Sequence, residues 1–407
     1  MAILVDDLAA WIASGRHPTG IQRVVTGVID AATARKDAQV WLAVSAIGLR
    51  DKPTLRVIDR GALQWAAPGA KLTLAARTLR SSTRLVRPVP MPRRFRRTAK
   101  AIFAALAVSV VGHDRAAGPA AARLPTILLV PGSFSTGDGA EHLRRLAEAG
   151  VRIRIVVHDL FPLTNPEWCN AELAWSFRRS LDLVAPIVDR VLTLSGAAAD
   201  VLVGNYPALA DRVRIAVPGL EAFAPSEGNA SHGGPRRVPG EYLLVVGTVE
   251  PRKNHRVVLD AWRQLSKRPE AQGISLVIAG RRGWGTADLE GEMARDAARS
   301  RIVRLEGVGD ELVGVLYRDC LATVLPSWAE GFGIPVRESV ARGIPTLMST
   351  GVPTDGLPTG SYRLFDPADA AGLTDLMAET IAHGRIRQRV DLAGGTGWEP
   401  IVSALLD

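Results

Sequence analysis

Two short segments of this 407-residue chain hold side chains suited to a charged, hydroxyl-rich ligand. VGTVEPRKN, residues 246–254, sets Arg252 and Lys253 side by side, after Gly247 and ahead of Asn254, a candidate helix cap. A forked guanidinium next to an ammonium can clamp a diphosphate. WAEGFGIPVRESVARGIP, residues 328–345, carries Glu330 and Glu338 around a glycine-rich turn. Gly331 and Gly333 permit close backbone approach, and Pro335 suits the first turn of a helix starting near Ile334. Unpaired N–H groups at such a helix start face bound phosphate. Carboxylates accept paired hydrogen bonds from vicinal hydroxyls. Cations for a diphosphate and carboxylates for two diols together describe a nucleotide sugar. The bland alternative is two solvated cations on a surface turn and two glutamates answering a helix dipole. That alternative stays open more for Glu338 than for Glu330.

The first half of the chain offers a weaker set. IRIVVHDLFPL ends an apolar run on His158 and Asp159, a polar pair that could touch a ligand, although such a histidine can equally be a satisfied core residue. GRHPTGIQRVV puts Gly20 at the mouth of a helix and Arg23 one turn in, where the arginine could meet an anion. A lone glycine pair of this kind is a weak signal.

The elements that must position these groups follow from hydrophobic periodicity. Apolar runs at 2–5, 40–44, 126–130, 153–157 and 190–194 read as buried strands, with helical patterns at 20–35 and 141–150 between them. A Gly-, Pro- and Ser-rich stretch at 223–240 breaks the alternation and reads as a linker. The alternation restarts with strands at 242–246, 275–280, 301–305, 321–326 and 345–348, and a helix from about 254. Strand and helix in alternation imply α/β units with parallel sheets covered on both faces. Two such doubly wound units fit the length. Ligands bind beyond the carboxyl ends of strands in this architecture, which is where Gly247, Arg252, Lys253, Glu330, His158 and Asp159 all fall.

Composition bounds the class. Hydrophobic residues make up 47% and charged residues 22%, an ordinary globular balance. Cys169 and Cys320 lie far apart with no ligand-like spacing, so neither a disulfide framework nor a zinc site is expected, and a reducing cytoplasm fits. Asp6 and Asp7 stand where an export signal would need positive charge. The formal net charge of +9 comes from one place: residues 71–100 contain ten Lys or Arg and no acid. This local patch argues against a nucleic-acid-binding surface. An apolar run at 101–112 follows, too short for a bilayer span, which needs about 20 residues. A basic run and a short apolar run together suit an anionic membrane surface, or, more plainly, a solvated loop ahead of a core helix.

Taken together, residues 241–348 resemble the donor domain of retaining GT-B glycosyltransferases of the GT4 class. The resemblance rests on VGTVEPRKN, the strand LVIAG, LPSWAEGFGIPVRE with its Glu-x7-Glu spacing, and ARGIPTL. The first half is similar through TGIQRV, VHDLFPL and TLSGAAADVL with Ser195, whereas residues 51–125 carry no part of it. The resemblance implies two Rossmann-like domains facing across a cleft. An acceptor-side domain would cover 1–222 with an insertion at about 51–125, joined by the linker at 223–240 to a donor domain at 241–385. A tail at 386–407 would pack back on the first domain.

It also implies roles. Arg252 and Lys253 would hold the donor diphosphate, Glu330 the donor sugar and Glu338 the ribose. Backbone of Gly331, Phe332, Gly333 and Ile334 would meet phosphate and sugar. His158 would lie against the transferred sugar, and Gly20 would close over the diphosphate. The expected activity is retaining transfer of a hexose from a GDP- or UDP-linked donor to a glycan hydroxyl, with no cofactor and no metal. A lipid-linked acceptor in bacterial polysaccharide assembly would put the protein in the cytoplasm, on the inner face of the membrane. The loop STGVPTDGLPTGSYRLFDP departs from the acidic loop of many relatives, so no contact is carried over to it. A nucleotide-sugar epimerase or hydrolase on the same fold, and a binding module without catalysis, are the competing readings. A dehydrogenase is excluded by the lack of a GxGxxG turn after a strand.

Overall fold

A computed structural model describes residues 2–4, 20–35, 40–47, 53–58, 127–131, 139–169, 171–224, 238, 240–388, 390 and 397–406. The N-terminal unit runs β1 (Ala2–Leu4), α1 (Gly20–Ala34), β2 (Trp41–Ile47), β3 (Pro53–Ile58), β4 (Ile127–Val130), α2 (Gly139–Glu148), β5 (Arg152–Val157), α3 (Phe161–Thr164), α4 (Ala171–Val184), β6 (Val188–Thr193), α5 (Gly196–Asn205) and β7 (Val213–Ile215). Its seven strands lie in the order β3-β2-β1-β4-β5-β6-β7. All neighbours are parallel except β2 and β3. The antiparallel β3 departs from the all-parallel expectation. A return strand of this kind needs only a short connection, so no crossover helix announces it in the sequence.

The second unit runs β8 (Glu241–Val246), α6 (His255–Leu265), β9 (Ile274–Ala279), α7 (Ala287–Ser300), β10 (Ile302–Leu305), α8 (Asp310–Asp319), β11 (Ala322–Leu325), α9 (Ile334–Ala341), β12 (Thr346–Ser349), β13 (Arg363–Phe365) and α10 (Ala370–His383). Its sheet is parallel throughout, in the order β10-β9-β8-β11-β12-β13. The order reverses between β8 and β11, and a crevice opens at such a switch point. The strands are continuous apolar runs because both faces are covered. On one face α6 buries Val257, Val258, Ala261, Trp262 and Leu265, a helical spacing that packs against the sheet together with α10.

The last helix, α11 (Glu399–Leu406), returns to the first unit. Ile401, Val402 and Leu405 are fully buried with Ile3, Val24 and Val28. Arg154 on β5 and Arg190 on β6 donate to the carbonyls of Leu405 and Ala404, satisfying the end of that helix. Gly27 on α1 has no room for a side chain, since the Trp398 ring occupies the space a Cβ would need. Residues before it stay with the second unit, where Gln388 N–H donates to Gly343 O at 2.8 Å. Among the described residues no helix is long and apolar enough to cross a membrane. The basic run at 71–100 and the apolar run at 101–112 lie outside the described residues, as does most of the 223–240 stretch.

Candidate active site

Four loop ends converge where the two sheets face each other. After β8 the chain turns at Gly247 (φ 150°) and passes through a single 3-10 turn, Pro251–Lys253. The Lys253 side chain lies along Gly247, which leaves the space a Cβ would take. Asn254 has left-handed backbone (φ 47°) and stands at the N-cap position of α6, but its side chain does not cap. Its amide instead donates to Pro367 O at 2.8 Å, which corrects the capping role expected from the sequence. The turn is pinned from outside the helix.

After β11 the chain brings Glu330 onto the same two cations. Lys253 Nζ donates to Glu330 Oε1 at 2.5 Å and Arg252 Nη1 to Oε2 at 2.9 Å. Ser327 Oγ adds a third donor to Oε1 at 2.5 Å. Glu250 accepts from Arg252 Nη2 at 2.8 Å, and the guanidinium carbon sits 4.2 Å from the centroid of the Phe161 ring. Burial opposes ionisation of Glu330, but Arg252 and Lys253 outweigh it and bring its carboxyl down to about 2. The site is charged, largely buried and close to electrically balanced.

The glycine turn sits against the other domain. A Cβ on Gly331 would overlap the His158 carbonyl oxygen and lie 2.8 Å from Asp159 Cβ. Ser195, the N-cap of α5, donates from Oγ to Gly331 O at 2.7 Å. Gly333 (φ 78°) caps α9, with Pro335 in the first turn as the sequence implied. Opposite it, Gly20 faces Ile334, whose Cδ1 would be 3.1 Å from a Cβ there. Phe332 turns inward, 4% exposed, with its ring 5.8 Å from that of Phe223. Only backbone is left to meet a ligand at this position.

His158 and Asp159 line the N-terminal wall. His158 Nε2 lies 2.7 Å from the Pro131 carbonyl, and burial lowers its pKa to about 4, so the imidazole is neutral at pH 7. Burial raises Asp159 to about 6, with Arg252 pulling it down and Glu330 pushing it up. These influences place the Asp159 carboxylate within electrostatic reach of the cation pair in the other domain.

Glu338 and Arg23, one from each domain, meet each other. Arg23 Nη1 pairs with Glu338 Oε1, and its Nη2 holds Asp310 Oδ1 at 2.9 Å. The second Glu338 oxygen accepts from the Tyr317 hydroxyl at 3.0 Å. The anions that Arg23 meets are thus carboxylates of the chain itself. Sequence reasoning passed over Ser327, Glu250 and Phe161, all within quoted stretches, and Tyr317, which lies in none of them. It also passed over Arg337, 1% exposed, which donates to the carbonyls of Phe332 and, at 2.7 Å, Asp355. An arginine on an apolar-looking helix gives no pattern by which to find it. Among the described residues no three His, Cys, Asp or Glu gather as a metal site would require.

Residues 233–390 match the family model of glycosyl transferases group 1. That match covers the second domain. The whole chain superposes on the Anabaena protein HepE, solved with UDP and glucose, at a TM-score of 0.58 and 14% identity, covering 100% of this chain and 97% of that one. Likeness at that identity establishes the fold, which is GT-B. In sequence the chain is 28% identical over 222 residues to the serotype-specific mannosyltransferase WbdA of Escherichia coli, covering 49% of this chain and 26% of WbdA. It is 34% identical over 245 residues to the D-inositol 3-phosphate glycosyltransferase of Thermomonospora curvata, covering 54% of this chain and 56% of that enzyme. The chain therefore spans about a quarter of WbdA and about half of the inositol phosphate enzyme. Arg252, Lys253, Glu330 and Glu338 all lie within the matched stretch.

Proposed function

We propose that the protein is a retaining glycosyltransferase that moves a hexose from a GDP- or UDP-linked donor to a hydroxyl of a glycan, lipid-linked, in bacterial polysaccharide assembly. The observation that carries this reading is the cluster of Arg252, Lys253, Ser327 and Glu330 at the switch point of the second sheet. Likeness to a mannosyltransferase named for serotype supports the glycan acceptor.

In this reading the donor diphosphate lies on Arg252 and Lys253 and on the backbone of Gly331–Ile334. The sugar hydroxyls hydrogen-bond to Glu330, and the ribose diol to the free lone pairs of Glu338. As the glycosidic bond breaks, charge grows on the leaving diphosphate, and the two cations stabilise it most at that point. The neutral His158 ring and the His158–Asp159 backbone form the wall against which the transferred sugar rests, and Gly20 closes over the diphosphate. The acceptor hydroxyl enters from the N-terminal side, and its proton passes to the departing phosphate. Positive charge at the diphosphate comes from side chains, so activity should survive a chelator. The basic run at 71–100, with the apolar run after it, would hold the protein on an anionic leaflet.

The test is a thermal-shift panel of nucleoside diphosphates and nucleotide sugars, since a ligand that binds only the native state raises the midpoint by mass action. One nucleotide family should stand out, and hydrolysis of that donor should give way to transfer when a glycan is added. No response to any nucleotide would overturn the reading. Donor turnover that no acceptor can redirect would favour an epimerase or hydrolase.

A further inference from the structure

Arg23 and Glu338 are brought together by two helix starts lying side by side. Gly20 opens α1 against Ile334, which opens α9, and one turn further along each helix Arg23 meets Glu338. The Glu338 carboxylate is thus gripped at both oxygens, by Arg23 from the other domain and by the Tyr317 hydroxyl from below. Tyr317 is itself fixed, 1% exposed, with the Arg342 guanidinium 4.9 Å from its ring centroid. Arg342 also donates to Glu338 O at 2.7 Å, and Asp310 holds the second arm of Arg23 at 2.9 Å. An ionised carboxylate has about four lone-pair sites, and these partners occupy two of them. The remaining pair is left in one fixed plane, the arrangement that two adjacent hydroxyls need. Without Arg23 the carboxylate keeps one anchor and can turn about it.

We propose that Arg23 is a positioning residue, by which the N-terminal domain orients the Glu338 carboxylate and so sets the preference for a ribo- over a 2′-deoxyribonucleotide. This rests on the reading of Glu338 as the ribose ligand. It adds that sugar-ring selection is made across the cleft, in the closed arrangement of the two domains, by a residue that does not itself contact the ribose. Arg23 acts through charge and geometry together: its fork spans Glu338 and Asp310, which a lysine cannot reproduce.

The experiment measures binding of UDP, GDP and their 2′-deoxy forms by titration calorimetry to the wild-type protein, Arg23→Gln, Arg23→Lys and Glu338→Gln. One hydrogen bond to a charged acceptor corresponds to a preference on the order of 10- to 100-fold for the ribo form in the wild type. Arg23→Gln should cut that ratio to about 3-fold or less by weakening only the ribo form, leaving the deoxy affinity unchanged. Arg23→Lys should fall between the two, and Glu338→Gln should abolish the ratio. The thermal midpoint of each variant reports folding, and the ratio is read only on the folded fraction. An unchanged ratio in Arg23→Gln overturns the proposal, and so does equal weakening of both forms, the mark of a purely structural role. A wild type that binds nucleotide without discrimination, or a Glu338→Gln variant that still discriminates, instead removes the ribose assignment of Glu338.

Discussion

Replacing Glu330 by Gln should have opposite effects on the empty protein and on its nucleotide complexes. Glu330 is 8% exposed at its side chain and receives three donors, two of them cations. Its carboxyl is held at about 2, against about 4.3 for an unperturbed glutamate, which corresponds to roughly 3 kcal/mol of native-state stabilisation. Because the folded pKa is depressed, that contribution is present in full above about pH 4.5 and drains away as pH falls toward 2. The variant should therefore be less stable at pH 7 by an amount of this order, and the two proteins should converge in acid. Urea titrations at pH 7 and near pH 3 measure it.

The same change leaves Arg252 and Lys253 without their main counter-charge. One extra unit of positive charge about 5 Å from a diphosphate is worth up to about 3 kcal/mol at an effective dielectric of 20. A nucleoside diphosphate should bind the variant tenfold or more tightly, while turnover of the nucleotide sugar drops about 100-fold because the sugar has lost its carboxylate. Calorimetry on the diphosphate, beside steady-state rates, makes the comparison. Nucleoside diphosphate binding that weakens in step with turnover would refute the reasoning, since Glu330 would then be a scaffold for the cation pair.

Lys253→Ala should reduce turnover by about 100-fold, with the thermal midpoint reporting any loss of stability from the broken Glu330 pair; full activity at saturating donor would remove it from the site. Gly331→Ala should force the glycine turn away from the His158 carbonyl, so transfer should be lost while nucleoside diphosphate still binds; wild-type transfer rates would contradict the tight contact. Proton NMR of the first-formed product should show the donor's anomeric configuration retained, and an inverted anomer would exclude the retaining reading. Replacing Arg93, Arg94, Arg96, Arg97 and Lys100 by Gln should release the protein from anionic vesicles while sparing transfer to a short soluble acceptor. Wild type that fails to sediment with such vesicles at low salt would leave this stretch as a solvated loop or a groove for an acidic glycan.

Much of the scaffold was legible in the sequence because parallel strands buried on both faces are continuous apolar runs. β8, β9 and β11 could be placed to within about a residue for that reason. β7 and β13 could not, because each is a three-residue edge strand with exposed positions and no apolar run to mark it. Within the site, Arg252, Lys253 and Glu330 stood out because glycines and a strand end bracket them. That they bind one another is a matter of three-dimensional approach, and nothing in their spacing says so. The grip on Glu338 was less legible still, since Arg23 lies 315 positions away and Tyr317 on a different helix.

The placement of α11 bears on the order in which the protein can be made. The core beneath the first sheet holds Ile401, Val402 and Leu405, yet the rest of that sheet is complete by Ile215. A ribosome adding about 5–20 residues per second reaches those three side chains roughly 10 to 40 seconds after β7 has emerged. Throughout that interval Val24, Val25 and Val28 pack on the sheet side of their cluster but lack the side chains that α11 adds, and the arginines at 154 and 190 face no helix end. The second domain has its own closed core and can fold meanwhile. Synthesis thus runs opposite to the usual sequence, with the domain translated first being the one completed last. A nascent chain stalled before α11 should accordingly be a substrate for chaperones through its N-terminal half.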